Sequence, residues 1–169
     1  AESDNSLWWQ SIRRIGKSDT PLVVIDPRYT KTASCADLWI APKTGTDCAL
    51  ALGFANVIIA EGLYDRDFVA EWCHGFDEFA AHVARYTPEY VAEFCGVSAD
   101  DVRTAARWFG RAQAAALVSG RGIDQSGRNV APTHRAICCL RAVTGNVDKP
   151  GSCVLAEGPD FVSEMELER

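Results

Sequence analysis

Pro21-Leu22-Val23-Val24-Ile25-Asp26-Pro27-Arg28-Tyr29-Thr30 is the stretch on which the reading of this chain turns. Its apolar, mostly β-branched run stops abruptly at Asp26-Pro27, as a buried parallel strand does where it surfaces into a loop. Proline has no N–H to give to a ladder, so the predicted strand Leu22–Ile25 ends there and Asp26 lies at its carboxyl edge. In open α/β sheets ligands bind at that edge. A second signal follows in Thr44-Gly45-Thr46-Asp47, polar and glycine-bearing, directly ahead of a long helical pattern. Backbone N–H groups at such a helix start are free for a ligand. Two polar loops bracketing one small apolar unit have the makings of two walls of a nucleotide pocket.

Working outward, residues 6–15 space Leu7, Trp8, Ile12 and Ile15 as an amphipathic helix, with Asp4 or Ser6 able to cap it and Gly16 ending it. Residues 30–36 predict a loop or a single helical turn, and Leu38-Trp39-Ile40-Ala41-Pro42 a second short strand stopped by proline. The clearest helix runs from Thr46 to Glu61, capped by Thr46 or Asp47, with an apolar face of Leu50, Ala51, Phe54, Val57 and Ile58. Further helices are predicted from an Asp65 cap to Cys73, from Phe76 to Arg85, from the Thr87-Pro88-Glu89 start to Gly96, and from Ser98 to about Phe109. Ala114–Ser119 is too short for an independent helix and is predicted as a third strand; Val130–Val143 is the last helix. The segment from Asp148 carries Pro150, Gly151, Gly158 and Pro159 and reads as extended. Helices alternating with short apolar strands imply a parallel sheet covered on both sides. The expected fold is α/β: one Rossmann-like three-layer domain over residues 1–169, with a short parallel sheet, a helical insertion at about 62–110 and an extended tail at about 148–169.

Composition narrows the function. The 169 residues are 47% hydrophobic and 24% charged, which is globular, and the net charge of −6 lacks the basic footprint of a nucleic-acid binder. No apolar run reaches the roughly 18 residues of a membrane span, and no targeting segment is visible at Ala1. A chain that opens on Ala1 rather than methionine reads as cut or processed. The seven cysteines are scattered, odd in number and without a C-x-x-C pair, so they read as small core hydrophobes rather than a disulfide scaffold or metal site.

Each candidate site residue has an ordinary alternative. Asp26 at a strand end can accept hydrogen bonds from ribose or a purine edge, or simply bond its own backbone in a turn. Arg28 offers a guanidinium fork to phosphate, or is a solvated loop cation. Thr46 and Asp47 are N-cap chemistry, although an ionised Asp47 could also take the two adjacent N–H groups of guanine. A third polar loop, Ser119-Gly120-Arg121-Gly122-Ile123-Asp124-Gln125-Ser126-Gly127, lets backbone approach a ligand closely. It fails as a dinucleotide fingerprint, since Gln125 stands where the third glycine belongs. His74, His82 and His134 are far apart, and no catalytic or metal-binding constellation is present.

Taken in order, Val24-Ile25-Asp26-Pro27-Arg28-x-Thr30-x-Thr32-Ala33, Ala36-Asp37-Leu38-Trp39-Ile40 and Gly45-Thr46-Asp47-x-Ala49-Leu50 resemble the molybdopterin oxidoreductases of the dimethyl sulfoxide reductase superfamily. The likeness continues through Ile58-Ile59-x-Glu61-Gly62-Leu63-Tyr64-Asp65, Tyr86-Thr87-Pro88-Glu89, Gly96-Val97 and Leu140-x-x-x-Thr144-Gly145-Asn146-x-x-x-Pro150-Gly151, nearly the whole chain. The third loop and Pro159-Asp160-Phe161 resemble the branch that holds acetylene hydratase and related dehydroxylases more than the nitrate reductases.

The resemblance implies a cofactor-binding domain of a larger enzyme that carries molybdenum or tungsten on two molybdopterin guanine dinucleotides. Asp26, Pro27, Arg28, Tyr29 and Thr30 would form the strand-end loop on the nucleotide, and Gly45, Thr46 and Asp47 the loop at its guanosine end. Gly120, Arg121 and Gln125 match a loop that reaches towards pterin and metal, and Glu2 and Ser3 match the tail of a first cofactor loop. The family's iron–sulfur cysteines, the protein ligand to the metal and the second cofactor domain are not among these residues. The expectation is therefore an excised domain, empty and inactive alone, whose partners are the remaining domains of the parent enzyme and an electron-transfer subunit. A free-standing NAD- or GDP-binding module and a cysteine-based redox protein are the competing readings.

Overall fold

The computed structural model describes residues 6–125 and 129–155, and the side chains of 9–125 and 129–155. Helix α1 (Ser6–Ile15) is closed by Gly16, whose N–H bonds the Ile12 carbonyl. Strand β1 (Val23–Ile25) follows, then a single 3-10 turn (Ala33–Cys35) and strand β2 (Leu38–Ile40). The strands pair in parallel with Val23 opposite Leu38, Val24 opposite Trp39 and Ile25 opposite Ile40. Parallel strands leave their connections at the same edge, so the residues after Ile25 and after Ile40 emerge side by side.

Helix α2 (Asp47–Ala60) is the core of the molecule. Its residues from Ala49 to Ala55, together with Val57 and Ile58, are buried around the full circumference. The sequence predicted one apolar face; the helix is instead enclosed, packed by α8 (Val130–Val143), α6 (Ala99–Arg111), α5 (Pro88–Cys95) and α4 (Phe76–Val83). A helix apolar all round belongs in that position. Gly53 is what lets α5 come close, because a Cβ there would sit 2.7 Å from a methyl of Val91.

The short helices are built from local chemistry. Asp65 accepts the Phe68 N–H at the start of α3 (Arg66–Trp72), Thr87 that of Tyr90 at α5, and Ser98 that of Asp101 at α6. Each is an N-cap that satisfies one of the orphan donors of a first turn. Thr46 does not cap α2 in this way: its hydroxyl turns back to donate to the Lys43 carbonyl at 2.6 Å.

Two further expectations are corrected. The expected third strand, Ala114–Ser119, has no regular structure and joins no ladder, and the sheet of the described residues has two strands. Its polar groups go to side chains instead. The Ala115 N–H donates to Oδ1 of Asn146 at 2.8 Å, and the Leu117 carbonyl accepts from Arg141 at 2.7 Å. The start of the tail is not extended either, since 147–153 closes into a turn bridged between Val147 and Cys153. The α/β class and the short parallel sheet stand; the rest of the tail and Pro159-Asp160-Phe161 lie outside the described residues. Among the described residues no helix is long and apolar enough to cross a membrane.

Candidate functional site

The first loop turns on Asp26. Its N–H bonds the Ile40 carbonyl at 3.1 Å, which ties the end of β1 to β2. Its Oδ1 accepts the Arg28 N–H at 2.8 Å, the self-bonded turn that was the ordinary alternative. Its carbonyl accepts the indole N–H of Trp39 at 2.9 Å. That indole also meets the ring of Tyr29 edge to face at a centroid distance of 4.9 Å. Thr30 closes the loop by accepting the Ala33 N–H at 3.2 Å. Pro27, Arg28 and Tyr29 are exposed, and the second oxygen of Asp26 takes no hydrogen bond from the described residues. The turn role and a ligand role are therefore compatible in one side chain.

The second loop is held from behind by α5. The Lys43 N–H bonds the Cys95 carbonyl at 2.8 Å, and the Cys95 thiol points at the Thr46 carbonyl. Gly45 adopts φ +86°, which favours glycine, and its flank is open, with no atom within 4 Å of where a Cβ would stand. Asp47 is half-buried in the first turn of α2 and its carboxylate has no hydrogen-bond partner among the described residues. Its charge helps raise the thiol pKa of Cys48 and of Cys95, although burial is the larger cause for both.

The third loop contains a helical turn, α7 (Arg121–Asp124), where an irregular segment was expected. Asp124 pairs with Nε2 of His134 at 2.7 Å, which fixes α7 against α8. Gly120 and Gly122 have open space at their missing side chains, and Arg121 and Gln125 are exposed. Ser126 and Gly127, like Glu2 and Ser3, lie outside the described residues. Strand register brings the first two loops to one edge; Asn129, at the start of α8, shares a groove of about 190 Å³ with Gly45 and Thr46. Arg121 and Gln125 do not line that groove.

Sequence reasoning missed several supports of this region. Lys43 and Cys95 position the second loop without any motif to mark them. A row of rings from His82 through Tyr86 and Tyr90 to Phe94, with centroids 5.6, 5.9 and 6.0 Å apart, borders the groove. Its spacing of four residues was legible; its exposure was not. A second groove of about 360 Å³ lies between α2, α4 and α8, lined by Cys48, Phe79, His82, Arg135 and Cys139 among others. All seven cysteines are free and Cys95 is the buried one, so the core-filler reading holds for it and fails for the exposed Cys138. Burial raises the pKa of Cys48, Cys73, Cys95 and Cys139, which keeps these thiols protonated and unreactive near neutral pH. Among the described residues no group of three or more His, Cys, Asp or Glu is placed to hold a metal ion.

Comparison with known proteins gives this geometry a context. The family model described as molybdopterin oxidoreductase matches residues 5–156. Acetylene hydratase of Syntrophotalea acetylenica is 42% identical over 152 residues, covering 90% of this chain and 21% of that protein. Formate dehydrogenase H of Escherichia coli is 42% identical over 134 residues, covering 79% and 19%. A nitrate reductase of Synechocystis is 34% identical over 131 residues, covering 78% and 18%. The solved structure of acetylene hydratase from Pelobacter acetylenicus superposes with a TM-score of 0.78 at 40% identity, covering 82% of this chain and 19% of that one. The chain thus spans about one fifth of the relatives it matches.

Proposed function

The chain belongs to the molybdopterin oxidoreductase family, and from that premise we propose that it is the domain of a longer enzyme that holds the guanosine end of one molybdopterin guanine dinucleotide. Oxidoreductases of this family use molybdopterin with molybdenum or tungsten. The metal supplies the redox chemistry; the residues of this chain bind and orient the nucleotide and contribute no catalytic group.

One observation carries the proposal. The parallel register of Ile25 with Ile40 sends Asp26–Thr30 and Gly45–Asp47 out from the same sheet edge. At that edge Asp47 offers a carboxylate with no hydrogen-bond partner among the described residues and Gly45 an open flank, a chemical fit to a purine that presents two adjacent N–H donors. In this reading Asp47 accepts from the guanine N1–H and amino group. Asp26 takes a ribose hydroxyl on its second oxygen, and Arg28 pairs with phosphate. Gly120, Arg121 and Gln125 are assigned to the pterin side, and Glu2 and Ser3 to the tail of a first cofactor loop. Residues 1–169 act as one such domain, with 62–110 its helical insertion. The domain is empty and inactive alone, and it acts with the remaining cofactor domains and an electron-transfer subunit. Family membership does not favour the free-standing NAD- or GDP-type module.

Titration of the 169-residue chain with GDP and with NAD, followed by amide chemical shifts, tests this. GDP is expected to bind weakly but more tightly than NAD, with shifts centred on 26–30 and 45–47. Asp47→Asn should weaken GDP binding by about tenfold or more, because hydrogen bonds to a charged group contribute about 1.5–3 kcal/mol. Preference for NAD, or unchanged GDP binding in the variant, would overturn the assignment.

A further inference from the structure

Trp39 stands outside the loops, in the middle of β2, yet its side chain meets the first loop twice. Leu38 and Ile40 turn towards the core, and strand alternation puts Trp39 on the opposite face of the sheet, where it remains 37% exposed. Core packing therefore does not account for so large a ring. Its register partner is Val24. From there the indole reaches diagonally to the end of the neighbouring strand, and its Nε1–H donates to the Asp26 carbonyl at 2.9 Å.

That bond completes a set. The Asp26 N–H is held by the Ile40 carbonyl, its C=O by the indole, and its Oδ1 by the Arg28 N–H. Of its polar groups only Oδ2 takes no hydrogen bond among the described residues. Anchors from β2 and from the turn fix backbone and side chain together, so Oδ2 has one direction rather than a range. Further along, Pro27, Arg28 and Tyr29 are exposed, and the next tie is at Thr30, whose carbonyl accepts the Ser34 N–H at 3.0 Å. Between those ends Tyr29, itself 65% exposed, rests edge to face on the ring of Trp39. Phenylalanine at position 39 would keep a ring for Tyr29 and lose the donor; leucine would lose both.

We infer that Trp39 is a positioning residue of the first loop: its indole N–H aims the remaining oxygen of Asp26, and its ring carries Tyr29 and with it the exposed turn. The consequence is selective. In the proposed site Asp26 meets a ribose hydroxyl through that oxygen, so the indole bond bears on the sugar of the nucleotide. It does not bear on the base, which is assigned to Asp47 of the other loop. The selectivity for sugar rests on the nucleotide role proposed above; the fixing of Asp26 by Trp39 does not.

Hydrogen exchange and ligand titration of the 169-residue chain, both read by NMR, decide it. The Trp39 indole N–H should exchange with water at least about tenfold more slowly than that of Trp72, which is 70% exposed, because its bond must open first. Trp39→Phe should speed exchange of the Arg28 N–H by about threefold or more, while the Ser34 N–H keeps its rate. The ligands are GDP and its 2′,3′-dideoxy analogue, which share base and phosphates and differ in the ribose hydroxyls. Trp39→Phe should weaken GDP by about fivefold, within the range of one lost hydrogen bond, and leave the analogue unchanged. In an Asp26→Ala background the same change should have no further effect on GDP, because the residue it acts through is gone. Trp39→Leu, which also drops the ring, should weaken both ligands. Equal weakening of GDP and the analogue by Trp39→Phe would make the indole a merely structural group and sink the inference. So would an indole N–H that exchanges as fast as that of Trp72, or an Arg28 amide indifferent to the variant. The indole measurement needs no variant, so a misfolded Trp39→Phe still leaves the inference open to refutation. If the unaltered chain binds no GDP, or Asp47→Asn leaves that binding unchanged, the nucleotide assignment fails, and the exchange rates still judge whether Trp39 fixes Asp26.

Discussion

The helices between β2 and residue 112 and the two-stranded sheet that precedes them meet their polar obligations in opposite ways. In α3, α5 and α6 the first turn is capped by the residue next door, Asp65, Thr87 and Ser98. The last turn of α5 ends on Gly96 in the left-handed conformation that exposes its N–H to the Ala92 carbonyl. Arg103 joins Glu89 of α5 to α6, and Arg107 clamps Glu61. The sheet has no comparable closure. Among the described residues Val23 and Ile25 leave their outward N–H groups unbonded and the Asp47 carboxylate takes no hydrogen bond, while Tyr29 lies exposed on Trp39. The capped helices close their own first turns; the sheet edge does not close its outward backbone groups among the described residues. In the proposed role of this domain, that division separates the residues that secure the fold from those assigned to the ligand.

The comparison breaks most readily at its strongest point. Ile58 is fully buried in α2, whereas Ile25 is 42% exposed. Ile58→Ala should cost about 2–5 kcal/mol, as core truncations do, and Ile25→Ala well under half as much. Urea unfolding of the two variants gives the ratio. Equal losses would mean that β1 is as fully enclosed as α2 and that the sheet edge is not open.

Asn146 comes next. It is completely buried after α8, donates to Oγ1 of Thr144 at 2.9 Å and accepts the Ala115 N–H. Removing it strands a buried N–H, so Asn146→Ala should lose about 1–3 kcal/mol. Because that bond replaces a ladder for 115–118, hydrogen exchange at Ala115 should accelerate more than at Leu140, which lies within α8. Uniform acceleration would show that Asn146 supports the whole domain and not the strand-like segment in particular.

Gly53 supplies a smaller and more diagnostic effect. Alanine there gains about 1 kcal/mol of helix propensity, yet its Cβ meets the fully buried Val91 at 2.7 Å, and overpacking of this kind costs about 1–3 kcal/mol. The net loss should be about 1 kcal/mol by thermal unfolding. In a Val91→Ala background the clash is gone, and Gly53→Ala should become stabilising. If it stays destabilising there, the close approach of α2 and α5 is not what selects glycine.

What was legible in the chain follows the same division. The caps at Asp65, Thr87 and Ser98, the bounds of α8 and the parallel order of Leu22–Ile25 and Leu38–Ile40 could all be read, because each depends on residues within a few positions or on one apolar period. Thr46 was misread as a cap because a hydroxyl can equally donate backwards, and the Lys43 carbonyl lies within its reach. The third strand was misread because strand formation there depends on a pairing neighbour that the residues themselves do not encode. The tie between Lys43 and Cys95 spans 52 positions, which no local pattern carries, and the four-residue spacing of the rings from His82 to Phe94 does not tell that they are exposed. Asp26, Thr46 and Asp47 could be named as candidates; that the first two loops share one edge required the register.

The smallest effect concerns charge on the helical side. Glu61 accepts three hydrogen bonds from Arg107, at 2.8, 2.9 and 3.1 Å. Those bonds are the main reason its carboxyl lies below the ordinary value of 4.5, with the charges of Arg107, Arg111 and Arg103 adding to them and partial desolvation opposing. A group whose pKa is lower folded than unfolded contributes stability that is present above the unfolded value and is lost as pH falls through the folded one. The stability gap between the natural chain and Glu61→Gln should therefore be full at pH 7, shrink below about pH 4.5 and close once Glu61 is protonated in the folded state. Both partners are partly exposed, so water and salt screen the pair and the gap should be smaller than any of the preceding losses. Urea midpoints of the two proteins at pH 7 and pH 3.5, in low and high salt, decide it. A gap that survives both acid and salt would assign Glu61 a packing role between α2 and α6. A gap that vanishes in both confirms that the clamp acts through charge, and leaves the buried contacts of α2 to hold the helices together.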